Sequence, residues 1–186
     1  MPVQLTLAQI DQALPRVAEG LEKYQWLQQQ FLANVNSHGD AVFQRRFNQF
    51  YRVRRSAAWQ SSYFALMGRA RREALEFNVV LDALQLAINR LEASFVSKLI
   101  ATINPELPVI DKFVLQNVGL ALPAQNATNR AAAIVQIHFT LQASFNTYLQ
   151  SPDGQYLVSK FNQQYPNSGI TDVKKLDLVL WQTRGA

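Results

Sequence analysis

The sequence predicts an all-α protein, a single compact multi-helix domain spanning residues 1–186, and three observations carry that expectation. Apolar residues recur at helical spacing through most of the chain, and no stretch alternates apolar and polar convincingly enough to read as a strand. Seven Gly and seven Pro in 186 residues are too few for a sandwich or barrel built on tight turns. The chain is the length of one ordinary domain, 48% of it is apolar, and no repeat or low-complexity linker divides it.

Each element follows in order. Thr6 is a capping residue for a short helix ending near Leu14. Pro15 then opens a helix to about Asn36, with Val17, Leu21, Tyr24, Leu27, Phe31 and Leu32 as its apolar stripe. His38-Gly39-Asp40 closes it and starts an arginine-rich helix, and Gly68 is expected to separate that region from a helix over Arg71–Arg90. An apolar helix follows, and Pro105 and Pro108 break the chain before a further helix from Asp111 to Val118. Small and polar residues make a loop of Gly119–Asn129. Ala131–Leu149 is a strong helix with Ile134, Ile137, His138, Leu141 and Phe145 on one face, where His138 reads as a core residue. Ser151-Pro152-Asp153-Gly154 is a turn or a helix start, and Tyr165–Gly169 is a loop. Thr171 or Asp172 caps a last helix whose packing face is Val173, Leu176, Val179, Leu180 and Trp181, leaving Lys174 and Lys175 outward.

Composition narrows the chemistry. There is no cysteine, which excludes disulfides and thiolate metal sites. His38 and His138 are far apart and neither has a second ligand-type residue at helical spacing, so no metal and no cofactor is expected. No apolar run approaches a membrane span and the N-terminus lacks the pattern of a secretory signal, so the expected setting is cytoplasmic with no membrane partner.

The charge is local. Residues 41–75 hold Arg45, Arg46, Arg52, Arg54, Arg55, Arg69, Arg71 and Arg72 against Glu73 alone, a net +7 in a chain whose total is +5. Arginine pairs bidentately with phosphate and stacks on bases, and here it is interleaved with Phe43, Phe47, Phe50, Tyr51, Trp59, Tyr63 and Phe64. That mixture suits a protein that tracks a phosphate backbone, although a helix with aromatics inward and arginines merely solvated has the same pattern. On a helical projection Phe43, Phe47, Phe50 and Arg54 share one side, whereas Arg45, Arg52 and Arg55 gather on another. Arg54 is therefore expected to be buried against an acid from among Asp82, Asp111, Asp172 and Asp177. Arg45, Arg52 and Arg55 are the expected nucleic-acid-facing set, with Lys174 and Lys175 as further phosphate contacts.

Asp111 follows a proline-bounded turn between two apolar helices, at a helix start where its carboxylate can accept the free backbone N–H groups. It is either a plain cap or a carboxylate with a chemical task. The run Ser97-Lys98 through Asn104-Pro105 to Pro108-Val109-Ile110-Asp111 resembles the core of the helix-hairpin-helix DNA glycosylase superfamily, especially its 8-oxoguanine glycosylase-like branch. The resemblance covers about 25 of 186 residues. It implies a DNA glycosylase-like fold, duplex DNA as partner, and Asp111 as the carboxylate facing a flipped nucleotide, where it would stabilise positive charge as the glycosidic bond breaks. Lyase-type members add a lysine near the start of the preceding helix. Lys98 is the catalytic candidate for that amine, but counted back from Asp111 the family's position falls near Ser94, about one turn earlier. The family's glycine-bearing hairpin also has no glycine counterpart in Leu86–Glu92. Lys98 could serve as a nucleophile only with its pKa lowered by burial; otherwise its stem packs on the helix and its ammonium pairs with Asp111 or Glu106. Two functional classes follow from these residues: a glycosylase-like DNA-binding protein, and a non-catalytic helical module binding nucleic acid or protein.

Overall fold

The computed structural model describes residues 3–33 and 39–183, and these are helical with no strand among them. The all-α expectation holds. His38 and the expected end of the second helix at Asn36 lie outside the described residues.

Local chemistry sets most helix starts. Thr6 and Gln9 form a reciprocal capping box at α1 (Leu7–Ala13), and a short 3-10 turn over Leu14–Arg16 leads into α2 (Ala18–Ala33). Asp40 accepts the N–H groups of Val42 and Phe43 at the head of α3 (Ala41–Tyr51). Ser56 caps α4 (Ala57–Glu73). Helices α5 (Phe77–Ile88) and α6 (Ala93–Ile103) are joined by four residues, and Asn89 supplies the left-handed conformation, φ 54°, that ends α5. Asp111 starts α7 (Lys112–Asn117) and α8 (Arg130–Gln150) begins after the irregular loop, as expected. Ser151-Pro152 is a helix start, cap and first-turn proline of α9 (Pro152–Gln164). Two residues on, a side chain at Gly154 would collide with the Tyr148 carbonyl, so glycine is what lets α9 fold back so closely on α8. Thr171 caps α10 (Asp172–Gln182).

Helix α10 is the axis of the molecule. Every residue from Val173 to Leu180 is buried, and the helix packs on α1, α7, α8 and α9. This corrects the expectation that Lys174 and Lys175 face outward: they are only 4% and 7% exposed. The reason is internal neutralisation. Lys174 Nζ meets Asp177 Oδ2 at 2.5 Å and Lys175 Nζ meets Asp172 Oδ1 at 2.7 Å, each pair spaced i,i+3 on the same helix. The rings of Tyr24, Phe50, Tyr51 and Trp181 surround the Lys174 ammonium at 4.6–5.9 Å, a cation–π box that replaces solvent on its other sides. Trp181 stacks on Phe50 in this core, with ring centroids 5.6 Å apart.

Two further expectations fail in the arginine-rich stretch. Gly68 does not separate helices; it is buried within α4, which runs on to a left-handed Ala74 at φ 51°. Arg54 is exposed, because α3 stops at Tyr51 and Arg52 turns left-handed at φ 54°, so the apolar face passes to Val53 instead. The carboxylates of Asp177 and Asp172 go to the lysines of α10.

Candidate functional site

Asp111 is held from three sides. The Ser97 hydroxyl donates to the Ser94 carbonyl at 2.9 Å and accepts the Ile110 N–H at 2.8 Å, which fixes the residue before Asp111 to the first turns of α6. Upstream, Thr171 Oγ1 donates to the Pro105 carbonyl at 2.7 Å, tying the proline turn to the head of α10. Asp111 Oδ1 then accepts the Phe113 N–H at 2.9 Å, whereas Oδ2 makes no hydrogen bond among the described residues. The half-buried carboxylate lines a concavity of about 480 Å3 with Ser94, Lys112, Leu115, Gln116 and Leu122. That volume lies within the range of small-ligand sites.

Lys98 is one turn below this concavity, not in it. The side chain is 7% exposed, its Nζ donates to the Tyr51 carbonyl at 3.4 Å, and the Phe95 ring centroid lies 5.0 Å away. Burial lowers its pKa, and the charges of Asp111 and Asp177 act against that shift. The expected pairing with Asp111 or Glu106 is replaced: no ion pair to either forms among the described residues, and the ammonium is satisfied by a carbonyl and two aromatic faces. Asp177 behaves conversely, its pKa raised by burial while the Lys174 charge pulls it back.

The arginines divide by partner. Arg71 donates to the Phe31 and Leu32 carbonyls and covers the Phe31 ring, closing the end of α2. Arg69 pairs with Glu73 at 3.1 Å, and Arg46 lies 4.0 Å above the Trp26 ring. Arg55, expected to be ligand-facing, is partly buried and bonds Glu92 at 2.9 Å, with its guanidinium over Phe95. Arg45, Arg52, Arg54 and Arg72 are exposed and make no ion pair among the described residues.

Three of those four lie on or beside one pinned loop. Val53 N–H donates to the Asn48 carbonyl at 2.9 Å, and Gln60 Nε2 donates to the Arg55 carbonyl at 2.7 Å while its Oε1 accepts from Asn48 Nδ2 at 2.7 Å. Residues 52–55 are thereby fixed at both ends, with exposed Arg52 and Arg54 flanking buried Val53 in sequence. Arg45 lines an adjacent amide-rich hollow of about 410 Å3 with Asn48, Gln49 and Gln60. The loop and the carboxylate are linked twice. The Tyr51 carbonyl, immediately before Arg52, rests on the Lys98 ammonium that feels Asp111, and Arg55 grips Glu92 two residues before the cavity-lining Ser94.

Lys174 and Lys175 contribute no phosphate-facing charge, being consumed within α10. Sequence reasoning reached Ser94 by counting back from Asp111, but missed Glu92 and the Tyr51 carbonyl, whose contacts depend on where α3 ends. No three His, Cys, Asp or Glu side chains come together among the described residues in an arrangement able to hold a metal ion. No described helix is long and apolar enough to cross a membrane. The chain matches no family model, and comparison with curated proteins and with solved structures finds no match.

Proposed function

We propose that this protein binds duplex DNA through the exposed arginines around α3 and seats an extruded nucleotide against Asp111, in the manner of a base-excision DNA glycosylase. The observation that carries the reading is a pinned loop with exposed Arg52 and Arg54, held through the Tyr51 carbonyl and Arg55 to α6, the helix whose Ser94 lines a ligand-sized concavity beside an Asp111 carboxylate with one unused oxygen. Guanidinium groups free of protein partners are available to phosphate, and their preset positions reduce the entropy lost on binding. A carboxylate oriented by its own helix start is suited to stabilising positive charge on a sugar.

The resemblance to lyase-type members weakens at the amine. Ser94 occupies the cavity wall where those members carry lysine, and the Lys98 ammonium is turned to Tyr51. The activity that fits is therefore base release without imine formation, with Lys98 as a positioning charge beneath Asp111. This same placement of Lys98 favours, as a second reading, a non-catalytic module that binds nucleic acid or protein through the arginine loop.

Titration of labelled duplex across a salt series tests the DNA reading, because phosphate contacts make the logarithm of affinity fall linearly with that of salt. Incubation with duplexes holding oxidised or deaminated bases, followed by alkali, tests base release. Alkali-labile breaks made by wild type and not by Asp111→Asn support the enzyme; salt-sensitive binding without breaks supports the module. Salt-independent or absent binding refutes both DNA readings. Borohydride should trap no covalent adduct, and an adduct lost in Lys98→Met would restore Lys98 as nucleophile.

A further inference from the structure

A second concavity lies at the opposite, C-terminal end of α6, between the start of α5 and the middle of α8. It measures about 420 Å3 and its walls include Leu75, Phe77, Ile100, Ile103, Leu107 and Phe139. No arginine or lysine lines it, so it shares nothing with the phosphate-facing surface. Its lining also includes His138, which is 2% exposed, with its ring stacked on Phe77 at 4.0 Å between centroids and 7° between planes. Both imidazole nitrogens are buried and neither makes a hydrogen bond among the described residues.

That is an unusual state for a buried imidazole, because polar groups removed from water are nearly always hydrogen-bonded. Burial lowers the pKa of His138 to about 4, so at neutral pH the ring is uncharged and offers one N–H donor and one lone pair. The next residue, Phe139, is 55% exposed and also lines the concavity, an aromatic ring left in solvent beside an apolar hollow. Glu76 is the charged residue of the lining, with no cation beside it to receive an anion. Asn78, Asn104 and Gln142 add uncharged polar groups.

We infer that this concavity is a binding site for a small, uncharged, ring-containing molecule that stacks among Phe77, Phe139 and the α6 aliphatic side chains and, with a small turn of the buried His138 ring toward it, exchanges a hydrogen bond with His138. Apolar walls with a small number of placed polar groups describe such sites generally. The inference is independent of the DNA reading.

The test follows the His138 ring nitrogens by 15N NMR in protein labelled on histidine, with His38→Gln removing the other imidazole. Phenol and benzamide are the neutral probes, toluene the apolar control and benzoate the charged one. Saturable shifts of the His138 nitrogens are expected with phenol and benzamide, with toluene and benzoate about fivefold weaker or more, the worth of one hydrogen bond. In His138→Phe, which keeps the ring stack and removes both nitrogens, phenol should fall to the affinity of toluene when followed by ligand-observed saturation transfer. Gln142→Trp at the lining should block every probe, and it covers the case in which His138→Phe does not fold. Absence of saturable shifts with any neutral probe, or shifts that Gln142→Trp leaves unchanged, would overturn the site.

Discussion

Replacing Arg52 by glycine should move stability and DNA affinity in opposite directions. Arg52 closes α3 in the left-handed region, at φ 54° and ψ 44°. A residue with a Cβ gives up about 1–2 kcal/mol there relative to its usual conformation. Glycine relieves that strain but loses about 0.4–1 kcal/mol through the greater freedom of its unfolded chain. The net expectation is a gain of about 0–1.6 kcal/mol, which for a domain of this size is a rise in Tm of up to about 6 °C. The same change removes an exposed guanidinium with no ion pair among the described residues. Loss of one phosphate contact should reduce the slope of log affinity against log salt by about 0.9. Differential scanning calorimetry and fluorescence anisotropy with a labelled duplex measure the two quantities on one preparation. Unchanged affinity and slope would show that the loop does not meet phosphate, and a fall in Tm of several degrees would show that the side chain is structural.

Asp111→Asn keeps an equally good helix cap, so its melting temperature and duplex affinity should match wild type while release of any damaged base stops; a large loss of stability would reassign Asp111 to structure. Lys174→Met leaves Asp177 buried beside aromatic rings and should lower stability by about 3–5 kcal/mol in urea titrations. Adding Asp177→Leu should recover much of that loss, and strictly additive losses would contradict the pairing. Burial raises the Asp177 pKa, so the deficit of Lys174→Met alone should narrow as pH falls and the carboxyl takes up a proton. For His138 the sign is reversed. Its folded pKa of about 4 lies below the ordinary 6.5, so the unfolded chain binds the proton first and stability is lost as pH falls from 6.5 towards 4. The loss approaches about 3 kcal/mol, and His138→Phe should show a flatter profile between pH 6.5 and 5. Gly154→Ala should be severely destabilising, since its methyl group would strike the Tyr148 carbonyl.

Much of the fold was legible because helix starts are written in short-range chemistry. Thr6, Asp40, Asp111, Ser151 and Thr171 accept the N–H groups their positions imply, whereas the Ser56 cap of α4 was passed over. Helix ends were harder to read. Arg52 and Ala74 close their helices in left-handed conformations that glycine or asparagine would have announced, and Gly68 suggested a break where none exists. Once α3 ends at Tyr51 the helical projection no longer applies, and Arg54 leaves the apolar face for solvent. The lysines of α10 misled because amphipathic reasoning assumes a solvent-facing side, which a central helix lacks. The spacings Asp172 to Lys175 and Lys174 to Asp177 were the available signal for burial. At the site, the capping role of Asp111 could be read from its neighbours in sequence. Its Ser97 support, the Lys98 contact with Tyr51 and the Glu92 grip on Arg55 join residues 13 to 47 positions apart and depend on packing.

The proposed function requires that the arginine loop and the Asp111 concavity act together on one nucleic acid. A duplex holding a single 2-aminopurine measures this directly, because that base brightens when it leaves the stack. Wild type should raise its fluorescence in step with binding, Asp111→Trp should bind without the rise, and Arg52→Gly combined with Arg54→Ala should lose both together. Binding by wild type with the base still stacked, or a rise that survives filling the concavity with Trp, would contradict the account.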